Sequence, residues 1–385
     1  MENKSITIEL PGSISADNAG ALEESIKEQL GSDQYESVIM DAINTNYISS
    51  AGLRVLLKYS KRYPSLLVVN VNDAVYDIFE ITGFSDIMHI RRVPKEYSVE
   101  GCEVIGRGAK GIVYRYNADS IIKVYFNSSI EDIERETKLA KKALIAGIPT
   151  AISFGVVRVG DNYGSFFELI DARTISQAIL SAPDDFDKYV GIMADLVKDI
   201  HSTNVSMNDF PDFRIEGHAW INGGIAHVDE EKAKRLSDMI DAMPERHTMI
   251  HGDFHSNNVL LQQGEAILID MDRVSYGQPV FELCGLYMCY VAFGVIDPSF
   301  VENFIGLDYE TCQRFWNVFL DKYLGPVSEE QRREIEDKIA LLTYARLVRR
   351  VFKGGTSLDE KKQHELEVYM DKVNSLLERV ETLDF

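Results

Sequence analysis

The segment that most restricts how this chain can fold is His251-Gly252-Asp253-Phe254-His255-Ser256-Asn257-Asn258. It reads as a polar loop between a helix and a β-hairpin, whose strands are Val259 to Leu261 and Ala266 to Ile269. Asp270 closes the second strand, twelve residues beyond Asn258. A carboxylate and a carboxamide on one loop, followed by an acid at the end of an apolar strand, make a set of hard oxygen donors suited to magnesium. In such a set Asp253 can accept a hydroxyl proton while Asn258 and Asp270 hold the metal. Any one of them alone is as well explained as a loop-capping residue.

A second signal precedes it in the chain. Gly106-Arg107-Gly108-Ala109-Lys110-Gly111-Ile112-Val113 is glycine-rich, and Gly106, Gly108 and Gly111 would let backbone amides approach phosphate oxygens without interference from Cβ. Alone, the pattern fits a surface turn. A dinucleotide-binding fold needs such glycines to open a helix, but here Ile112 to Arg115 continues as a strand. A turn and Ile121-Ile122-Lys123 follow, giving a hairpin with a lysine on its second strand. Lys123 by itself would be a solvated strand lysine. The order hairpin, Lys123, polar loop and Asp270 is what gives the set meaning.

The 385 residues suit two or three domains. Residues 5–90 alternate short apolar strands with amphipathic helices, which predicts a small α/β domain over 1–95. Pro94 breaks the pattern. A strand-rich piece is predicted over 96–170 and a helical piece over 171–385, which contains the loop 251–258. The fold class is therefore a two-part chain, a small α/β domain followed by a bilobal α+β unit. Residues 210–227 read as a loop, where His218 and Trp220 are weak candidates for lining an acceptor pocket. Asp272, two residues past Asp270, is expected on the same side of an extended strand as an auxiliary ligand, or else in a surface turn.

The net charge of −21 argues against binding nucleic acid or an anionic membrane, because the average surface repels phosphate. Four scattered cysteines lack zinc-site or disulfide-framework spacing. No apolar run approaches the roughly 20 residues that span a bilayer, and the N-terminus does not read as a signal peptide. A reduced cytoplasmic protein is the expectation.

From about residue 97 onward, the glycine hairpin, Lys123, the His251–Asn258 loop and Asp270 resemble the aminoglycoside phosphotransferase and choline kinase-like branch of the protein-kinase-like superfamily. The resemblance implies two lobes with ATP and Mg2+ bound between them, and phosphorylation of a hydroxyl on a small molecule. It implies that the glycine loop covers the phosphates and that Lys123 contacts the α- and β-phosphates. A helix glutamate pairs with that lysine, Glu136 with Glu134 as its rival. Asp253 matches the catalytic aspartate, and Asn258 and Asp270 match the metal ligands. Glu168, Leu169 and Ile170 match the interlobe hinge, whose backbone meets adenine. His251 would hold the loop backbone and Glu282 would anchor the loop from a helix, with an exposed helix-terminal acid as the alternative for Glu282. Gly252 stands where eukaryotic protein kinases have arginine, and no activation loop follows Asp270. Both features favour the small-molecule branch, and the acidic chain is compatible with a cationic acceptor such as an amine sugar or a choline-like alcohol.

The first domain resembles a different family. Tyr47-Ile48-Ser49-Ser50-Ala51-Gly52-Leu53-Arg54, after a buried strand and at the head of a helix, is similar to the STAS domain of anti-sigma factor antagonists. There a serine at this helix start is phosphorylated to control partner binding, and a helix N-terminus suits a phosphate. Ala51 occupies that serine's position here, so only Ser49 or Ser50 could carry the group, and Ser50 is expected to cap the helix. The resemblance implies a docking or regulatory domain that binds a protein partner or a second copy. A regulatory protein kinase or a kinase-like binding protein acting through this domain is the alternative to a small-molecule kinase. A degenerate, inactive kinase fold is a third reading, which the complete set Lys123, Asp253, Asn258 and Asp270 disfavours.

Overall fold

In the first unit, Met1–Glu96, four apolar segments become parallel strands that neighbour one another in chain order: Ser5–Glu9, Ser37–Asp41, Leu67–Val71 and His89–Arg92. Parallel neighbours cannot be joined by a tight turn. The helices Ala19–Leu30, Ser50–Arg62 and Asp73–Ile81 make the crossovers. Register places Ile8 beside Met40 and Met40 beside Val68, a buried row across the sheet. The first helix lays Leu22, Ile26 and Leu30 against the same core at helical spacing. The computed structural model describes residues 4–31, 35–108 and 110–385. Ala109 of the glycine motif therefore lies outside the described residues.

The second unit is Tyr97–Phe385. Within it five strands pair antiparallel in the spatial order Ser153–Val159, Asn162–Glu168, Ser120–Tyr125, Gly111–Arg115, Glu103–Arg107. The helix Ile130–Ile145 is capped by Ser129 and buries Ile133, Glu136, Leu139, Ala140 and Ala143. A glutamate on the buried stripe of an otherwise apolar face needs a partner, and that partner belongs to the site described below. The remaining chain is mainly helical and shares one large core. Among the described residues two small sheets interrupt it: the hairpin Val259–Gln262 with Glu265–Leu268, to which Arg173–Thr174 adds a third strand, and the short pair Met249–Ile250 with Ser275–Tyr276.

One segment of the helical part differs from the sequence reading. Residues 210–227 are not a loop throughout, because Arg214–Asn222 forms a helix. Its signal is weak: no side chain caps it, and Gly217 interrupts the periodic face. That glycine is needed, since a Cβ there would sit 2.9 Å from the Phe281 ring. Trp220 on this helix is core, packed edge-on against Phe213 and Phe281, and His218 pairs with Asp241 near the surface. Trp220, 1% exposed, thus has no open face for an acceptor. A helix runs over Pro279–Tyr290. Among the described residues, no helix is long and apolar enough to cross a membrane.

Candidate functional site

The glycine hairpin supplies the first part of the site. Gly111 has no room for a side chain, since a Cβ would lie 2.1 Å from the Val124 carbonyl oxygen. That close approach fixes the first strand of the hairpin over Ser120–Tyr125. On the latter, Ile122 and Val124 point into one apolar layer, and alternation turns Lys123 and Tyr125 to the opposite face.

There Lys123 meets two acids. Its Nζ lies 3.1 Å from Glu136 Oε1 and 2.5 Å from Asp270 Oδ1. Glu136 is buried, and its other carboxylate oxygen accepts from the Tyr125 hydroxyl at 3.0 Å. The Tyr125 oxygen also lies 3.2 Å from the hydroxyl of buried Ser165. Glu136 rather than Glu134 thus stands opposite the lysine. Burial raises the Glu136 carboxyl above its ordinary range, with the Lys123 ammonium opposing that rise. Burial also pulls Lys123 down, but Asp270, Tyr125 and Glu136 overcome it and the ammonium is held above its usual value. For Asp270, burial acts upward and the nearby cations act more strongly, so the carboxyl sits below the ordinary value.

Asp270 reaches Lys123 because the chain turns sharply there. Its backbone is left-handed, φ 65° and ψ 60°, a conformation that aspartate tolerates better than most non-glycine residues. The next residues, Met271–Arg273, form a 3-10 turn. Asp272 is therefore not on an extended strand beside Asp270, as alternation had suggested. It sits in that turn and forms an ion pair with Lys110 of the glycine hairpin.

The loop 251–258 is fixed from below. Glu282 lies in the first turn of Pro279–Tyr290 and is 1% exposed, which removes the alternative of an exposed helix-terminal acid. Its carboxylate accepts from His251 N at 2.6 Å and Gly252 N at 3.0 Å. Burial raises its carboxyl above the ordinary range, and His251 and the loop amides oppose that. Gly252 has φ 81°, and a Cβ would fall 2.7 Å from the Arg273 carbonyl oxygen. No larger residue, arginine included, fits this backbone. The His251 ring spans the loop, its Nε2 3.2 Å from Ile269 O while its Nδ1 accepts from Asp253 N at 3.3 Å. A proton on Nε2 satisfies both contacts.

These ties leave Asp253 partly exposed, with no hydrogen bond or ion pair to its carboxylate among the described residues. Asn258 donates its amide nitrogen to the Asp253 carbonyl at 2.9 Å, which leaves its side-chain oxygen as a donor atom for a ligand. Asp270 spends one oxygen on Lys123 and keeps the other. Two side-chain oxygens without a third acid fit a magnesium ion that takes its other ligands from phosphate and water. Among the described residues, no cluster of three histidines, cysteines or acids could hold a metal by itself.

In the segment expected to be the hinge, Glu168 turns its carboxylate onto Ile152 N at 2.8 Å and its own amide donates to Ile152 O at 3.0 Å, while Leu169 N donates to Asp119 O at 2.9 Å. The Leu169 amide is thus engaged internally. In the first unit, Ser49 and not Ser50 caps the helix Ser50–Arg62, accepting from Gly52 N at 3.4 Å. Ser49 has the extended backbone a cap needs, φ −87° and ψ 169°, whereas Ser50 is already helical and exposed.

Sequence reasoning missed several supports. Tyr290 donates to Ser256 Oγ at 2.6 Å and accepts from Ser256 N at 3.0 Å, and Ser176 lies 2.7 Å from the same hydroxyl. No spacing in the chain signals this. Lys110 was visible inside the glycine motif, but nothing in the sequence tied it to Asp272.

A family model described as the phosphotransferase enzyme family matches residues 101–310, and a STAS domain model matches residues 2–96. Among solved structures, the chain is similar to the amicoumacin kinase hAmiN in complex with AMP-PNP, Ca2+ and Ami, at 14% identity and a TM-score of 0.50, over 80% of this chain and 95% of that one. It is also similar to ADP-bound aminoglycoside phosphotransferase APH(2'')-Ib, at 16% identity and a TM-score of 0.46, over 74% and 94% of the two chains. A choline/ethanolamine kinase family protein from Mesorhizobium loti matches at 14% identity and a TM-score of 0.45, over 72% and 88%. These likenesses concern the fold. No curated protein matches in sequence.

Proposed function

The chain belongs to the phosphotransferase enzyme family and carries a STAS domain at its N-terminus, and from that premise we propose that it transfers the terminal phosphoryl group of ATP to a hydroxyl on a small molecule. The observation that carries the reading is the Lys123 ammonium shared between Glu136 and Asp270, next to a loop that leaves Asp253 unpaired. Glu136 and Asp270 hold Lys123 charged and oriented for the nucleotide phosphates. Asn258 and Asp270 would hold magnesium, which when bound neutralises phosphate charge. Asp253 orients the acceptor hydroxyl and takes its proton as the acceptor oxygen bonds to phosphorus. The bond from phosphorus to the β-phosphate oxygen breaks, and its electron pair leaves with ADP. Gly106, Gly108 and Gly111 keep the hairpin backbone open to the phosphates, and adenine would be met at the backbone of Ile170, since Glu168 N and Leu169 N already donate to Ile152 O and Asp119 O.

The STAS domain reads as a docking module for a protein partner or a second copy. Ile43 and Tyr47, just before the helix that Ser49 caps, are 55% and 50% exposed. They are available for contact with another protein. The test of the main reading is ATP consumption with magnesium across a library of hydroxyl compounds, with mass analysis of every product and of the protein itself. A phosphorylated small molecule is expected. Phosphate found only on protein would replace this reading with the protein-kinase alternative.

A further inference from the structure

Lys110 combines a fixed base with a free arm. Its backbone is pinned on both sides: Phe126 N donates to Lys110 O at 2.8 Å, and Gly108 N donates to Gly111 O at 3.0 Å across the turn. Gly111, the next residue, is locked against Val124. Its side chain is 44% exposed and reaches from the hairpin lobe to Asp272, in the 3-10 turn of the helical lobe. Asp272 gives one carboxylate oxygen to this contact, and its other oxygen is buried with no hydrogen bond among the described residues.

The pairs Lys123–Asp270 and Lys110–Asp272 thus bring two lysines and two aspartates to the place read above as the phosphate site. The two lysines are not equivalent. Lys123 is held deep by Glu136 and Asp270. Lys110 stands nearer solvent, its side chain 44% exposed against 18% for its partner Asp272. A phosphate dianion offers an ammonium more negative charge than one carboxylate does, and so can draw the mobile Lys110 arm from Asp272.

We propose that Lys110 is the cation for the terminal phosphate of the nucleotide, leaving Asp272 for that phosphate when a triphosphate binds. The proposal rests on ATP being the donor, as read above. Lys110 gives no proton in the transfer. It offsets charge on the terminal phosphoryl oxygens while the acceptor proton goes to Asp253 and ADP departs. It is therefore a residue that tells triphosphate from diphosphate.

The experiment is calorimetry on the full chain with magnesium, using AMP-PNP and ADP as the two probes, for wild type, Lys110→Ala and Lys110→Arg. The alanine variant should bind AMP-PNP about ten-fold or more weakly, the loss of one charge-assisted contact, and ADP within about two-fold of wild type. The arginine variant should recover most of the AMP-PNP affinity. Melting curves should show both variants folded, with Lys110→Ala lowered by at most a few degrees because Asp272, 18% exposed, loses its cation. Unchanged AMP-PNP affinity in Lys110→Ala overturns the proposal. So does an equal loss for both nucleotides, which would put Lys110 on the shared phosphates. A wild-type protein that binds neither probe overturns the ATP reading itself, and this proposal with it.

Discussion

On the hairpin side of the Asp253 loop, Lys110, Lys123, Glu136, Asp270 and Asp272 meet one another side chain to side chain. On the helix side, Glu282, His251 and Ser256 are tied largely through loop backbone. The first arrangement can exchange: a lysine that leaves one carboxylate can take a phosphate in its place. The second cannot, because each broken contact strands a buried amide or carbonyl that no water reaches. The cleft thus joins a set of movable charges to a rigid floor. The contrast ranks what substitutions should do.

Glu282→Ala attacks the floor most severely. It leaves the His251 and Gly252 amides buried without an acceptor, and should cost about 3 kcal/mol or more, read by denaturant unfolding. A loss below about 1 kcal/mol would show that the loop does not depend on this carboxylate. Asp253→Asn touches neither side's scaffold. It should leave AMP-PNP affinity near wild type and lower kcat about 100-fold or more on an acceptor found in the screen. Near-normal turnover would remove Asp253 from the proton-accepting role.

A smaller effect reads the burial of the floor through pH. His201 lies behind Glu282, its Nε2 4.0 Å from Glu282 Oε2 and its Nδ1 2.9 Å from the Tyr323 hydroxyl. Burial, aided by Arg246, lowers its pKa from 6.5 to about 3. Between those values the unfolded chain binds a proton that the folded chain refuses. The stability this group supports is complete above pH 6.5 and lost as pH falls toward 3, by about 1.4 kcal/mol per pH unit. His201→Gln should lack that share of the slope in unfolding experiments at pH 7, 6 and 5. An unchanged slope would mean the imidazole is not buried neutral. Ser49→Ala, in the other unit, should cost about 0.5–1 kcal/mol as a lost helix cap, and Ser50→Ala less than about 0.5 kcal/mol. The reverse order would restore Ser50 as the cap.

The same contrast governs what the sequence could disclose. Gly111, Lys123, Asp253, Asn258 and Asp270 stand in short motifs whose order survives in the linear chain, and the alternation that turns Lys123 away from Ile122 and Val124 is local. The strands and the long capped helices were legible for the same reason. Asp270 broke the period-two argument, because a left-handed residue ends the extended run and sends Asp272 elsewhere. The helix Arg214–Asn222 was hidden by Gly217 and a missing cap. Tyr290 and Ser256 meet only after the helices pack, 34 residues apart, and the Lys110–Asp272 pair closes across 162 residues. No local rule reaches such distances.

The central claim is that the exchangeable charges receive a magnesium-bound triphosphate. Calorimetry of the full-length protein with AMP-PNP, in magnesium and again with the metal chelated, tests it most directly. The account predicts binding in magnesium that weakens markedly on chelation, and weaker binding of adenosine under both conditions. Equal, metal-independent affinity for adenosine and AMP-PNP would contradict it, because the lysines and aspartates would then have no phosphate or metal to hold.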